Sequence, residues 1–562
     1  MLPAGKSWLL FGVLLCTKSS AGSTAQSKGG KNAHPEVITA FGRLQGKITS
    51  VKGTDQPVNV FLGVPFAKPP IGSLRFAPPQ PPEPWSHVRN STSFPPVCLQ
   101  DLQWYENIKK STNIMLPKIT MSEDCLYLNV FTPDTKGNFP VMVWIHGGGL
   151  EIGGSFLYEA SPLSAYEGVV VVVIQYRLGI LGFFSTGSAD APGNWGLLDQ
   201  TEALRWVQKN IRSFGGDPQS VTIFGESSGG YSVGAHMLSP LSQGLFHRAV
   251  SQSGVVLFPD MTFQAEAPAK EIANVSGCGT NSAELVCCLR NKTEQELIPM
   301  MKEVTSTYPV VDGKFFPKAP KELLAAKEFN LVPYLLGVNN HEYGWLIFQI
   351  LNFPNISNGI SRENATTGFQ LVATMLGLSP ESTQKVLDKY LGDTEDRIKI
   401  RDRFQDMMGD AIFVVPAVEM ARIYRDFGAP VYFYEFQHQP IQHRGTRPDF
   451  VKADHGDEIA FVFGLPFLKG TSPIPSSGDE AEGEKQLSKT IMKYWANFAR
   501  TGNPNSNGLV EWPRYEQNEG YLELNLRQRS AEKLKKKQVD FWMGILHGNT
   551  KTEQEKETHA DL

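Results

Sequence analysis

Residues 221–238 read VTIFGESSGGYSVGAHML. Val221 to Gly225 form a short β-branched and aromatic run, the composition of a buried strand. The stretch from Gly230 to Leu238 can open a helix. Between them, Gly225-Glu226-Ser227-Ser228-Gly229 fits G-x-S-x-G, a sharp strand-to-helix elbow. Glycine belongs on both sides because the backbone of such a turn closes on itself and on its neighbours. The turn lifts one serine out at the end of a sheet. The spacing makes that serine Ser227, and Ser228 holds the position after it. A chain with 52 glycines can produce the pentapeptide by chance, so its weight comes from the strand before it and the helix after it.

Further runs extend the pattern. PVMVWIH (140–146), VVVVVIQ (169–175), VPYLLGV (332–338) and VYFYEF (431–436) read as buried strands like 221–225. Between the second strand and the elbow, Leu197, Leu204, Val207, Ile211 and Phe214 share one helical face, and Gly215 ends the helix. Strand, helix, strand at this spacing is a parallel βαβ unit. There is no internal repeat. After Ser227 successive strands stand roughly a hundred residues apart, too far for a minimal α/β sheet. One α/β domain with large, mostly helical insertions is expected, spanning 26–546. PPQPPEP (78–84) and TSPIPSSGDEAEGE (471–484) read as exposed loops. EKLKKKQVDFWMGIL reads as an amphipathic helix docked by Val539, Phe541, Trp542 and Ile545.

A serine nucleophile needs a base, and the base an orienting acid. On an α/β-hydrolase fold the order is Ser, then Asp or Glu, then His. Glu342 stands in GVNNHEYGW at the carboxyl end of a strand, and His455 stands in the polar loop KADHGDE after another. Active groups on open α/β sheets gather beyond those ends. Asp454, Asp457, His341 and His438 remain rivals on placement alone. WIHGGGLEIGG follows a strand and holds an HGGG-type motif, His146 to Gly149. Its backbone N–H groups can face a tetrahedral oxyanion, with the Ser228 N–H as a further donor. Ser228 then acts through its backbone, and its hydroxyl is expected to be dispensable.

The chain ends speak of compartment. Residues 1–25 combine Lys6, an apolar run from Trp8 to Leu15, and the cleavage pairs Ser19/Ala21 or Ser23/Ala25. This is a secretory signal pattern, too short to span a bilayer. No later run reaches the length of a transmembrane anchor. Asn90, Asn274, Asn291, Asn355 and Asn364 head N-x-S/T sequons and are glycosylation candidates. Cys16 lies in the signal segment. Of the other five cysteines, Cys98 and Cys125 can close one loop, and Cys278 can pair with Cys287 or Cys288. One thiol is left free. The polar tail, 547–562, ends in His559-Ala-Asp-Leu562, similar to the KDEL/HDEL address. This implies a retrieval receptor and the endoplasmic reticulum lumen, with secretion as the alternative. A net charge of −4 excludes the basic excess of a nucleic-acid binder.

The HGGG motif, FGESSGG, NNHEYGW and ADHGDE resemble, in this order, the type-B carboxylesterase/cholinesterase family. FLGVPFAKPPIGSLRF (61–76), SEDCLYLNV (122–130) and GNWGLLDQ (193–200) carry the same resemblance. It covers about residues 36–546 and runs closest to vertebrate carboxylesterases of the carboxylesterase 2 branch, medium-chain fatty acyl-CoA hydrolases included. The resemblance implies a triad of Ser227, Glu342 and His455. It implies an oxyanion hole from Gly148, Gly149 and Ser228, disulfides Cys98–Cys125 and Cys278–Cys288, a free Cys287, and chemistry that needs no metal or cofactor. Two departures stand out: Ser228, where the family usually has alanine, and Asp561 in the tail. The expected activity is hydrolysis of small-molecule or lipid esters through an acyl-enzyme. The alternatives are acyl-CoA thioester hydrolysis at the same site and an inactive, neuroligin-like binding domain.

Overall fold

The apolar runs become the middle of one large sheet. A computed structural model describes residues 34–111, 118–257, 266–304, 307–350, 356–469 and 478–560. Among these, eleven strands form the main sheet: β1 Lys47–Thr49, β2 Val58–Pro65, β3 Tyr127–Thr132, β4 Phe139–Ile145, β5 Val170–Ile174, β6 Gly216–Glu226, β7 Arg248–Gln252, β8 Tyr334–Asn339, β9 Val431–Phe436, β10 Gly520–Leu524 and β11 Arg529–Glu532. Their order is β11-β10-β9-β8-β7-β6-β4-β5-β3-β2-β1. From β5 through β4 and β6 to β10 every neighbouring pair is parallel. The pairs toward either edge are antiparallel. Glu36–Ile38, Arg43–Gln45 and Val88–Asn90 make a separate small sheet.

A central parallel strand is covered on both faces, which is why its sequence is continuously apolar instead of alternating. In β5, Val170, Val172 and Ile174 enter one core, while Val171 and Val173 enter the other. Val143 and Trp144 of β4 divide the same way. All five expected strands form, as does the helix before the elbow, α1 Trp195–Asn210, which passes into a 3-10 turn ended by Gly215. The βαβ unit crosses over β4, which lies between β5 and β6. The elbow opens α2 Ser228–Leu238. The expected helical insertion falls between β8 and β9 and includes α3 Arg362–Met375, α4 Pro380–Leu391, α5 Arg397–Gly409 and α6 Val415–Asp426. A single π-turn, Asp410–Val414, joins α5 to α6.

Three expectations change. β7 follows the elbow closely, so the even spacing after Ser227 does not hold. Its Ser251 hydroxyl donates to the Gly230 carbonyl of the elbow helix and its Gln252 side chain pairs with Glu458 and Trp495, and these polar residues hide the strand from an apolar-run reading. The stretch 471–484 is not all loop: α7 Asp479–Thr501 already includes its last six residues, with Glu480, Glu482 and Asp479 in the first turn suited to the helix dipole. Residues 471–477 lie outside the described ones. The C-terminal helix, α8 Lys536–Ala560, starts inside the expected segment and continues beyond it. Val539 and Trp542 are buried beneath it, and Phe541 and Ile545 pack on the same core.

Residues Pro35–Leu562 form one compact unit. No helix of the described residues is long and apolar enough to cross a membrane. The signal segment 1–25 and Asn355 lie outside the described residues, as do Asp561 and Leu562 of the tail. Asn90, Asn274, Asn291 and Asn364 are exposed. Cys98 bonds Cys125, Cys278 bonds Cys288, and Cys287 is free and exposed. In the chain-entropy view, closing loops of these lengths stabilises by about 3 kcal/mol each.

Candidate active site

β6 ends at Glu226, and Ser227 turns the chain into α2 with φ 57° and ψ −127°. An L-residue holds such a conformation only under about 1–3 kcal/mol of strain, so its surroundings must enforce it. The Ser227 N–H donates to the Gln252 carbonyl at the end of β7 (2.8 Å), and its own carbonyl accepts from Tyr231 (2.9 Å). Gln252 is itself fixed: its amide donates to Glu458 (3.0 Å) and accepts from the Trp495 indole (3.0 Å). α2 passes so close to β4 that a Cβ at Gly229 would lie 2.1 Å from the Ile145 carbonyl. Sterics on one side and a hydrogen bond on the other therefore present the Ser227 side chain to solvent space.

That space is a gorge of about 590 Å³. Ser227, His455, Gly148 and Gly149 line it, with apolar walls from Trp104, Leu346, Ile350 and Phe413 among others. The HGGG loop leaves β4 and reaches the gorge at Gly148, whose φ is 109°; a Cβ there would lie 2.2 Å from the Ile152 carbonyl. The amides of Glu151 and Ile152 donate back to the Gly148 carbonyl (3.1 and 3.0 Å), which tightens the loop. Ser228 is the first residue of α2, so its N–H has no helical acceptor and forms part of the dipole's positive end. Its hydroxyl is not idle: it accepts the Leu150 N–H at 3.1 Å, tying the elbow to the glycine loop. The expectation that this hydroxyl is dispensable did not include that contact.

The loop is gripped at its far end as well. Gln100 donates to the Gly153 carbonyl (2.7 Å) and accepts the Gly153 N–H (2.8 Å). Its amide also donates to the Cys98 carbonyl (3.0 Å), and Cys98 is bonded to Cys125. His146 stays neutral beneath the loop, because burial pushes its pKa down to about 4. It stacks on Tyr176 (4.5 Å), whose hydroxyl donates to the His146 carbonyl (2.7 Å).

Glu342 and His455 arrive from the ends of β8 and β9. Their loops are stitched by a parallel bridge, His341 to Asp454, and by the His341 N–H donating to Ala453 (3.0 Å). This brings Glu342 Oε2 to 2.7 Å from His455 Nδ1, while Glu342 Oε1 accepts the Asn339 N–H (2.6 Å). The rivals are occupied elsewhere. Asp454 accepts backbone N–H groups of Trp345, Leu346 and His455. Asp457 receives Arg447 (2.8 Å) and the Asp454 N–H. His438 bonds Glu484 (2.8 Å). His341 Nδ1 accepts the Lys452 N–H (3.2 Å). All four hold loops in place.

The remaining nitrogen of His455, Nε2, points into the gorge, 3.1 Å from Glu226 Oε1. No hydrogen bond joins it to Ser227 Oγ here; such contacts tighten when substrate fills the site. Burial disfavours a charge on His455, yet Glu226, then Glu342 and Glu458, outweigh it and raise its pKa to about 10. Burial raises Glu226 to about 8, against the pull of His455. The Phe413 ring, carried on the π-turn, packs on the imidazole with centroids 4.7 Å apart. Sequence reasoning missed Glu226, Gln252, Phe413 and Gln100. Only Glu226 had a signal, as the variable residue of the elbow motif.

The arrangement sets a serine and a glycine-rich loop on one gorge, with a buried imidazole and carboxylate behind them, which suits acyl chemistry. Comparison with known proteins agrees with that chemistry. The Carboxylesterase family model matches residues 33–542. Liver carboxylesterase of Sus scrofa is 49% identical over 578 residues, 99% of this chain and 100% of its own. Medium-chain fatty acyl-CoA hydrolase precursor of Anas platyrhynchos is 48% identical, covering 98% and 99%. Acylcarnitine hydrolase of Mus musculus is also 48% identical, covering 93% of each chain. With a family match over nearly its full length, and elbow, glycine loop and sheet in agreement, the chain belongs to the carboxylesterase family of serine carboxylic-ester hydrolases.

Proposed function

We propose that Ser227 is the nucleophile of a two-step ester hydrolysis, with His455 as general base and acid and Glu342 as its orienting carboxylate. The Ser227 Oγ–H passes its proton to His455 Nε2 as Oγ bonds to the acyl carbon. Glu342 Oε2 accepts the Nδ1–H, which fixes the tautomer and stabilises the imidazolium. The amides of Gly148, Gly149 and Ser228 hold the developing oxyanion, each worth about 10²–10³ in rate. The imidazolium then protonates the departing alcohol, and water repeats the sequence to release the acid. The observation that carries this reading is the 2.7 Å Glu342–His455 contact opening onto the gorge that the strained Ser227 lines. Ser227→Ala should lose about 10⁶ in kcat and all labelling by a fluorophosphonate probe. Retained turnover in that variant would remove Ser227 from the chemistry. A wild-type protein that never labels would favour the binding-domain reading.

A second substrate class, acyl-CoA thioesters, is supported by the name of the Anas platyrhynchos relative. The acyl-enzyme steps are unchanged, so kcat/KM on an acyl-CoA against an oxygen ester of the same acid separates the two. For location, we propose cleavage of 1–25, glycosylation at exposed sequons and retrieval from the secretory route through the HADL tail. The catalytic domain is then 26–546.

A further inference from the structure

The π-turn Asp410–Val414 meets the His455–Glu342 pair on both of its flanks. Just before it, Gly409 runs alongside Glu342, so that a Cβ placed there would lie 3.7 Å from the Glu342 Cβ. Near its end, Phe413 packs on the His455 imidazole, centroids 4.7 Å apart. Between these contacts stands Asp410, buried and facing other partners. Its Oδ1 accepts from Lys535 Nζ (2.7 Å) and its Oδ2 accepts from the Tyr390 hydroxyl (2.8 Å). The Trp542 indole of α8 donates in turn to the Tyr390 oxygen (2.9 Å). Immediately before α8, Lys533 and Lys535 hold φ of 57° and 44°, conformations an L-residue keeps only when its surroundings enforce them. Burial disfavours the Lys535 charge, yet Asp410, then Asp406 and Glu435, outweigh it and hold its pKa up. A buried ion pair is a poor source of net stability, because taking both charges out of water offsets most of their attraction. What such a pair can supply is registry: it fixes one backbone position that apolar packing alone leaves free to shift. π-turns are rare and gather at functional positions, and here the pair rivets one of them.

We propose that Asp410 is a positioning residue for His455: its pair with Lys535 seats the π-turn so that Phe413 holds the imidazole in line with Glu342 while the proton moves. This deepens the ester-hydrolase reading and rests on it. Asp410 is buried away from the gorge lining and acts through Phe413. The segment that opens the C-terminal helix thereby supports catalysis, although Lys535 and Trp542 are not among the residues that line the gorge. A misplacement of about 1 Å caused far from the chemistry can cost about 10² in rate, so a partial loss of seating is expected to cost about tenfold.

The test is the double variant Asp410→Asn/Lys535→Met. It removes both charges, keeps an acceptor for Tyr390 and leaves neither partner of the pair as an unpaired buried charge. Active sites are counted by fluorophosphonate titration, and kcat and KM are read on a chromogenic butyrate ester with a melting curve alongside. The melting temperature should change little, because the pair adds little net stability. The kcat per titrated site should fall about tenfold, with KM within about twofold of wild type. In a Phe413→Leu background the same double change should cost less than about threefold, because the path to His455 is already broken. If the double variant does not fold, Tyr390→Phe takes its place. It removes only the hydroxyl between Trp542 and Asp410, and its kcat should fall about threefold with KM unchanged. A kcat within about twofold of wild type in the double variant overturns the proposal and leaves the hydrolase reading intact. So does an equal loss with and without Phe413, a loss confined to the melting temperature, or an unchanged kcat in Tyr390→Phe where it stands in. A wild-type protein that neither labels nor hydrolyses the ester overturns both.

Discussion

Removing one oxygen at Ser228 tests how the oxyanion loop is held. In Ser228→Ala the backbone N–H that we propose holds the oxyanion remains, and the hydroxyl that accepts Leu150 N–H at 3.1 Å is lost. A neutral hydrogen bond is worth about 1 kcal/mol, and a buried donor left unpaired costs about 1–3 kcal/mol. Leu150 is buried, so water does not easily replace the lost partner. The loop can relieve the cost by shifting, which moves the Gly148 and Gly149 amides away from the oxyanion. The other end stays gripped by Gln100, so the shift is partial. About 1.4 kcal/mol appearing in the transition state alone is tenfold in kcat with little change in KM. Full loss of one donor would be about 10²–10³. Steady-state kinetics on a chromogenic butyrate ester, with a melting curve to confirm folding, reads the difference. A kcat within twofold of wild type would refute the loop-holding role and restore the simpler view that the hydroxyl is spare. A loss beyond about 10³ would also refute it, by giving the hydroxyl a direct part in the chemistry.

Glu226 should set the acidic limb of the pH profile. His455 must be neutral to accept a proton, and Glu226 is the strongest of the carboxylates that favour its charged form. Glu226→Gln lowers that pKa, so the acidic limb of kcat/KM should move to lower pH, and at pH 6 the variant should keep a larger share of its maximal rate. A limb that stays in place or moves upward removes Glu226 from that role. For the tail, deletion of residues 559–562 should shift the protein from cells to medium, followed by activity in both fractions; an unchanged distribution counts against retrieval.

Much of the fold was visible because buried parallel strands are written as unbroken apolar runs. β4, β5, β8 and β9 stand out for that reason, as does the core of β6. β7 is invisible to the same logic: Ser251 and Gln252 use their polar groups on the elbow helix, Trp495 and Glu458. The site was legible where chemistry constrains local sequence, in the glycines around Ser227 and at Gly148. It was less legible where the constraint is tertiary. Choosing Glu342 and His455 over Asp454, Asp457, His341 and His438 depends on the bridge between two loops more than a hundred residues apart in sequence, with His341 opposite Asp454. Motif resemblance supplied that choice; placement alone did not. Gln100 and Phe413 belong to no local pattern, and only the folded gorge gives them meaning.

The grip of Gln100 on Gly153 has a consequence for where the enzyme can work. Gln100 sits two residues past Cys98, so the bond to Cys125 fixes the segment from which it reaches the loop. None of the eleven strands contains a cysteine, so reduction should leave the sheet and the elbow standing. What should slacken is the far anchor of the glycine loop. Turnover should thereby report redox history: a chain that has passed through an oxidising compartment is expected to hold the glycine loop taut, and one folded in a reducing compartment to keep the proposed nucleophile beside a looser cradle.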